Sequence, residues 1–523
     1  MPSMLPADRL SQYKEGSMKA IKETRPNQTP FAQLYPEKQA ATLIQPADPL
    51  GYTSKNYSPC SARETKSEET VPTARRLTQL LAHLSQEGTT TSSPINVKAL
   101  DDIHSLIRKY GSKWPNHGDR IIQPVSKERV VVTGTTGALG SYLLSQLLKS
   151  DRVEKVWALN RKSSKGNSRE REISSFEDKR LDTGLLNSEK LVFVDADLRE
   201  PKLNLTHSQT NILQIRSGVT IIIHAAWEVN HSRSLKLFES NICGTRHLLD
   251  LAFNSIAPTG LPRFAFTSSI AAAGLAPPGR RLSEIPIAFE DAVTSDGYGQ
   301  GKFVTEKLLE SARHAGLSTC IIRISQLSGD FNSGSWSTTN WLPLIISSSI
   351  SIGCLPGAIG TVSWLPLDVA ARSIVDICIS RAIKLPLVVH VSHPRPVRWM
   401  TIMSGCATSI LSRTGSRLPI VNIDEWSRRI SEAAESFEGS KADRYKRFPI
   451  IKIQGLLDST IRSEIEFRTH GHPGHAEFTG VVRLDITIAK VLSETLNSTP
   501  ELEAKHVERW FEYWDSVGFF KAV

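Results

Sequence analysis

No two of the six cysteines are spaced C-x-x-C, and no cationic secretory leader opens the chain. The first absence argues against structural zinc or a disulfide framework, and the two together lead us to expect a reducing, cytoplasmic setting. A concentrated basic run interleaved with aromatics is missing as well, so nucleic acid is not the expected partner. The formal net charge is nevertheless +10 over 523 residues. Such an excess suits an anionic cofactor, an acidic protein partner or simply a soluble surface. Charge is absent altogether from Phe331 to Leu367, a stretch that holds Pro343, Pro356, Pro366 and four glycines. A spanning helix disfavours that composition, so no membrane span is expected; strands and loops lining a buried cleft are. The segment His470-Gly471-His472-Pro473-Gly474-His475 offers imidazoles on a Gly/Pro loop, and no metal is expected there.

What is present begins with TGTTGALG at 133–140, between the apolar run Val130-Val131-Val132 and Ser141-Tyr142-Leu143-Leu144. This reads as strand, glycine turn and helix. Gly134 allows a tight turn, Gly137 lets backbone approach a pyrophosphate, and Gly140 lets helix pack close to strand. The turn residues Thr135, Thr136 and Leu139 complete a candidate dinucleotide site at a helix N-terminus. Strand-type runs follow at 129–133, 154–159, 191–195, 219–224, 263–268, 320–323 and 387–391. Helical patterns separate them near 140–149, 208–215, 234–254, 299–314 and 368–382. The alternation predicts an α/β fold, a doubly wound parallel Rossmann sheet over 125–395 covered on both faces. A smaller, mostly helical C-terminal substrate domain is expected over 396–523, with contributions from about residue 325. Residues 1–70 are expected to be disordered. The region 71–124 reads as a helical segment and linker, with apolar helical spacing over 73–84 and again from Leu100 to Tyr110.

The second strand runs into Asn160-Arg161-Lys162. An acid there would hold a ribose 2′-hydroxyl; a cation instead suits a 2′-phosphate, so NADP is expected rather than NAD. Arg171 is a second candidate phosphate ligand or a solvated surface arginine. At the third strand's end, Asp197 and Leu198 either bracket adenine or make a strand-end turn. Tyr298 and Lys302, four residues apart, share one helical face. A nearby ammonium and an oxidised nicotinamide would lower the phenol pKa, letting Tyr298 exchange a proton with a carbonyl oxygen. A hydroxyl closing the preceding strand, Ser269 in preference to Ser268, can hydrogen-bond the same oxygen.

With glycine turn, serine, tyrosine and lysine in this order, the chain resembles the extended short-chain dehydrogenase/reductases. Ile221–Asn230 (IIIHAAWEVN), Asn241–Thr245, Arg323–Asp330, Gly334-Ser335-Trp336, Trp341-Leu342-Pro343, Trp364–Asp368 and Val507–Trp514 are similar to reductase domains of carboxylic acid reductases and fungal adenylate-forming reductases. The resemblance implies that Ala225 and Ala226 line the cofactor, that Lys302 binds its ribose, and that an acyl thioester is reduced to an aldehyde, in secondary-metabolite biosynthesis. In that family an adenylation and a carrier domain precede the reductase. Neither is intact here: segment 73–84 resembles only a carrier's last helix, without a phosphopantetheine serine. A carrier protein or coenzyme A would therefore deliver the thioester in trans. Other extended reductases, acting on a ketone, free aldehyde or sugar nucleotide, would use the same three side chains. A cofactor-binding regulator or decayed synthetase fragment is the alternative outside catalysis. Trp336, Trp341 and Trp364 line an apolar substrate pocket or pack a core.

Overall fold

The computed structural model describes residues 97–115, 123–163, 166–207, 209–276, 281–292, 296–380, 384–471 and 476–520. The expectations for residues 1–70 and for a helix over 73–84 lie outside them, as do His472 and His475.

Seven strands form one parallel sheet: β1 (Glu128–Thr133), β2 (Val153–Asn160), β3 (Leu191–Asp195), β4 (Ile221–His224), β5 (Arg263–Ser269), β6 (Thr319–Ile324) and β7 (Val388–Val391). Their order is β7-β6-β5-β4-β1-β2-β3, all neighbours parallel. All seven runs expected from the sequence are present. The order reverses between β1 and β4, and in a doubly wound sheet the crevice beyond the strands' carboxyl ends at that point is the ligand site. The pleat divides the side chains between two layers. Val131, Trp157, Ile222, Phe264 and Phe266 pack into one, against helices that include α5 (Glu239–Phe253) and α6 (Gly297–His314). Val130, Val132, Val156, Ile223 and Ile322 pack into the other, with α2 (Ala138–Lys149) and α8 (Leu367–Cys378). The helix α1 (Val97–Tyr110) joins the first layer through Ile103 and Leu106, both buried.

Two helices depart from the sequence reading. The first, α3 (Ser168–Asp178), was not expected; it carries few apolar residues and is started by a capping box between Asn167 and Glu170. The second, α7 (Trp341–Ile352), replaces part of the strands and loops expected in the uncharged stretch. Pro343 is tolerated because it falls in the first turn, where its missing N–H would have no helical partner. Gly353, with φ of 74°, stops this helix in the left-handed conformation. Short strands at Leu355–Gly357, Thr361–Val362 and Leu365–Pro366 account for the rest.

A third core joins this stretch to the C-terminal helices, including α9 (Trp399–Thr414), α10 (Ile423–Glu435) and α12 (Ala504–Ser516); α4 (Gln209–Gly218) and α11 (Gln454–His470) complete the longer helices. Tryptophans dominate it. Trp336 and Trp510 meet edge to face at 4.9 Å, and the Trp514 indole N–H donates to the Trp336 carbonyl at 2.8 Å. Trp336 and Trp364 are each 2% exposed, so they fill a core rather than a substrate pocket. Trp341 is half-buried, its ring 5.1 Å from that of Trp364. No helix among the described residues is long and apolar enough to cross a membrane.

Candidate active site

The glycine turn is built by contact. Gly134 has φ of 75°, and a Cβ there would lie 2.8 Å from the backbone nitrogen of Ala226. A Cβ on Gly140 would meet the Gly134 carbonyl oxygen at 1.9 Å, so α2 begins flush against the turn. Gly137 caps α2 without any side-chain hydrogen bond, which leaves the first-turn N–H groups aimed out of the helix. Across the switch point, the Thr133 hydroxyl accepts N–H bonds from Ala225 (3.2 Å) and Ala226 (3.1 Å). Below it His224 bridges Thr133 (2.8 Å from Nδ1) and Thr245 (3.0 Å from Nε2). Because the Thr245 hydroxyl donates to Asn241 O, it accepts from Nε2–H, and Nδ1 accepts from Thr133. Burial, aided by Lys302, pushes the His224 pKa down to about 3, so this ring is a neutral strut.

Thr135 and Asn160 turn their side chains inward. The buried Thr135 hydroxyl donates to Glu172 Oε2 at 2.6 Å and accepts from Asn160 Nδ2 at 2.7 Å. Only their backbones are left to face a cofactor. Glu172, on α3, was missed by the sequence reading together with its helix. Its Oε1 has no partner, and burial lifts its pKa to about 7. Between the ordinary carboxyl value of 4.5 and about 7 the folded protein therefore holds a proton that the unfolded chain releases. Stability falls as pH rises through that window. Glu172→Gln, an isostere of the protonated acid, should raise the urea midpoint at about pH 8 and leave it unchanged at about pH 4. Equal midpoints at both pH values would contradict the assignment.

The remaining cofactor candidates divide. Arg161 is exposed at the end of β2, and the Arg171 guanidinium donates to its backbone carbonyl. Asp197 instead makes a strand-end turn: it accepts the Arg199 N–H at 3.0 Å and pairs with the Arg199 guanidinium at 2.6 Å, which holds its carboxyl low. Leu198 packs against Gly244 of α5, and its carbonyl accepts from His247 Nδ1 at 2.8 Å.

The three catalytic candidates meet at the carboxyl end of β5. Asp296 caps α6 by accepting the Tyr298 N–H at 2.8 Å. Tyr298 is 8% exposed, and its hydroxyl interacts with that of Ser269. Ser268 is committed elsewhere, donating to Glu306 at 2.5 Å, which leaves Ser269 as the hydroxyl beside the tyrosine. One turn along α6, Lys302 Nζ donates to the Thr267 carbonyl at 2.7 Å and sits 4.5 Å above the Trp227 ring. The sequence reading expected this ammonium to lower the phenol pKa. In the protein alone burial wins: it pushes Tyr298 up to about 12 against the Ser269 hydrogen bond, and holds Lys302 well below its ordinary value. A further turn on, Glu306 grips Arg323 of β6 with contacts of 2.8 to 3.2 Å, both side chains at most 1% exposed. Arg323 also donates to Ile285 O and to His390. This pair was missed, although an acid four residues after Lys302 was a visible signal.

Residues 132–374 match the NAD-binding family model described as Male sterility protein. Over these residues the chain is similar to the extended short-chain dehydrogenase/reductases. The chain is 36% identical over 86% of its length to the adenylate-forming reductase Nps11 of Serpula lacrymans, covering 41% of that protein. It is 36% identical over 80% of its length to Nps10 of Heterobasidion annosum, covering 37% of it. The chain thus spans about two fifths of the curated relatives it matches. Among solved structures, the terminal R domain from the myxalamid PKS-NRPS biosynthetic pathway superimposes with a TM-score of 0.64 at 22% identity. That comparison covers 80% of this chain and 99% of the other. Among the described residues no group of three or more His, Cys, Asp and Glu could hold a metal.

Proposed function

We propose that the protein is a reductase that uses NADPH to convert an acyl thioester, presented by a carrier protein or as a coenzyme A ester in trans, to an aldehyde in secondary metabolism. The observation that carries this reading is the Ser269–Tyr298–Lys302 group beside a glycine turn, in a chain similar to adenylate-forming reductases. The residues fit a dinucleotide: Gly134 and Gly140 tolerate no Cβ, and the first turn of α2 has no side-chain cap. Backbone from Gly134 through Thr135, Thr136, Gly137 and Leu139 to Gly140 would hold the pyrophosphate. Arg161 and Arg171 would hold the 2′-phosphate, Ala225 and Ala226 would flank the cofactor, and Lys302 would bind the ribose. Bound there, the nicotinamide supplies a hydride to the thioester carbon. Ser269 and Tyr298 donate hydrogen bonds to the oxygen as its charge develops, an interaction worth about 10²–10³-fold per donor in related chemistry. Tyr298 transfers its proton to that oxygen, and takes it back when the carbon–sulfur bond breaks and the aldehyde carbonyl forms.

Arg161→Ala tests the cofactor assignment. Losing a charge-assisted contact worth about 1.5–3 kcal/mol should raise the Michaelis constant for NADPH about 10- to 100-fold. The constant for NADH should not move. An unchanged preference between the two would remove Arg161 from the site. The reaction itself is tested by incubating the protein with NADPH and an acyl-S-pantetheine and trapping the product as a hydrazone. An aldehyde adduct is the expected result; recovery of only the thioester or its free acid would contradict the reading.

A further inference from the structure

Reduction of a thioester differs from reduction of a ketone in the fate of one proton. An alcohol product keeps the proton that the tyrosine gives to oxygen. A thioester returns it when the carbonyl re-forms, and the proton taken from solution ends on sulfur. An alkyl thiolate, whose thiol has a pKa of about 8.5, departs faster if it is protonated as it leaves. The mechanism above has no group for that step.

We propose that His231, on the loop after β4, is the acid that protonates the departing thiolate. This rests on the thioester reading. His231 Nδ1 lies 2.6 Å from Asp296 Oδ2, while Asp296 Oδ1 accepts the Tyr298 N–H at 2.8 Å. One carboxylate therefore positions both side chains. The His231 and Tyr298 ring centroids are 4.7 Å apart. The two rings differ in depth: the His231 side chain is 60% exposed, whereas Tyr298 is buried. A thiol-bearing arm that enters from solvent to reach Tyr298 passes His231, with the acyl carbon innermost and the sulfur outermost. The loop is held in place there, since a Cβ on Gly297 would lie 2.4 Å from the Arg233 carbonyl oxygen. Arg233 itself is paired with Glu228 at 3.0 Å on the same loop. With Nδ1–H donated to Asp296, Nε2 is the nitrogen left to serve as acid, the arrangement of a carboxylate-oriented imidazole. In the step, the carbon–sulfur bond breaks with its electron pair going to sulfur, and oxygen re-forms the carbonyl as Tyr298 recovers its proton. The Nε2 proton passes to sulfur, giving a neutral thiol, and water reprotonates the ring.

The experiment compares two esters of one acyl group in the full chain, an alkyl S-pantetheine thioester and an S-phenyl thioester whose thiolate needs no acid. His231→Gln should lower kcat on the alkyl ester about 100-fold and on the phenyl ester less than about threefold. Added imidazole should restore part of the lost rate to His231→Ala, because the side chain it replaces is open to solvent. An equal loss on both esters, or no loss on either, would overturn the assignment. Failure of the native protein on both esters overturns this inference and the thioester reading together. That result is distinct from failure of His231 alone, in which the native protein turns over and the variant matches it.

Discussion

Tyr298→Phe lowers turnover by about 10³-fold or more while affinity for NADPH stays within about twofold of the native protein. The size of the loss follows from what the hydroxyl does. It alone, among the groups beside Ser269, can both donate to the developing oxyanion and exchange a proton with it. The phenyl ring keeps every packing contact of the native side chain, including the Phe238 ring at 6.1 Å and the His231 ring at 4.7 Å. The cap from Asp296 is made to backbone and is also kept. The fold and the glycine turn should therefore survive, and a fluorescence titration of NADPH would show it. Lys302→Met offers a contrast: its ammonium is buried on the Thr267 carbonyl, so both binding and turnover should fall. Turnover by Tyr298→Phe within tenfold of the native protein would remove Tyr298 as the proton donor.

Arg323→Met is expected to destabilise the protein by about 3–5 kcal/mol, the cost of leaving one member of a fully buried ion pair unpartnered. Glu306 would then keep only Ser268 as a donor, in a site with no access to water. Ile285 O and His390 Nε2 would lose their donor as well. Glu306 lies on the catalytic helix one turn after Lys302, so misplacement of Lys302 and Tyr298 should accompany the loss of stability. Chemical unfolding reads the first effect and kcat the second. The double variant Arg323→Met with Glu306→Leu should recover much of the stability, since apolar replacement of a whole buried pair is often neutral. A midpoint shift of Arg323→Met corresponding to less than about 1 kcal/mol would mean that the carboxylate finds other partners.

The sheet was legible because most strands announce themselves twice, as a short β-branched or aromatic run and by the helical pattern that follows. Val130-Val131-Val132 and Ile221-Ile222-Ile223 need both faces covered, which a parallel sheet flanked by helices provides. The helix α3 was not legible, since its stability comes from a capping box and from two apolar contacts rather than an apolar stripe. The helix α7 is not legible from composition, because proline and glycine break a helix only in its interior: Pro343 falls in the first turn and Gly353 at the C-cap. In the site, the spacing of Tyr298 and Lys302 carried the reading, and Ser269 was separable from Ser268 only weakly until Glu306 showed which hydroxyl is already engaged. Glu172 and Arg323 could not be found from spacing. They are charges buried by tertiary contact with partners 37 and 17 residues away in the chain. The inward turn of Thr135 and Asn160 has the same origin.

The measurement that bears most directly on the central claim is which carbonyl drives the consumption of NADPH. Acyl-pantetheine thioesters, ketones, free aldehydes and sugar nucleotides would be offered in parallel to the native protein and to Tyr298→Phe. The account predicts consumption with thioesters, one thiol released for each aldehyde formed, and none of it in Tyr298→Phe. Consumption with a ketone or sugar nucleotide, and none with any thioester, would contradict it.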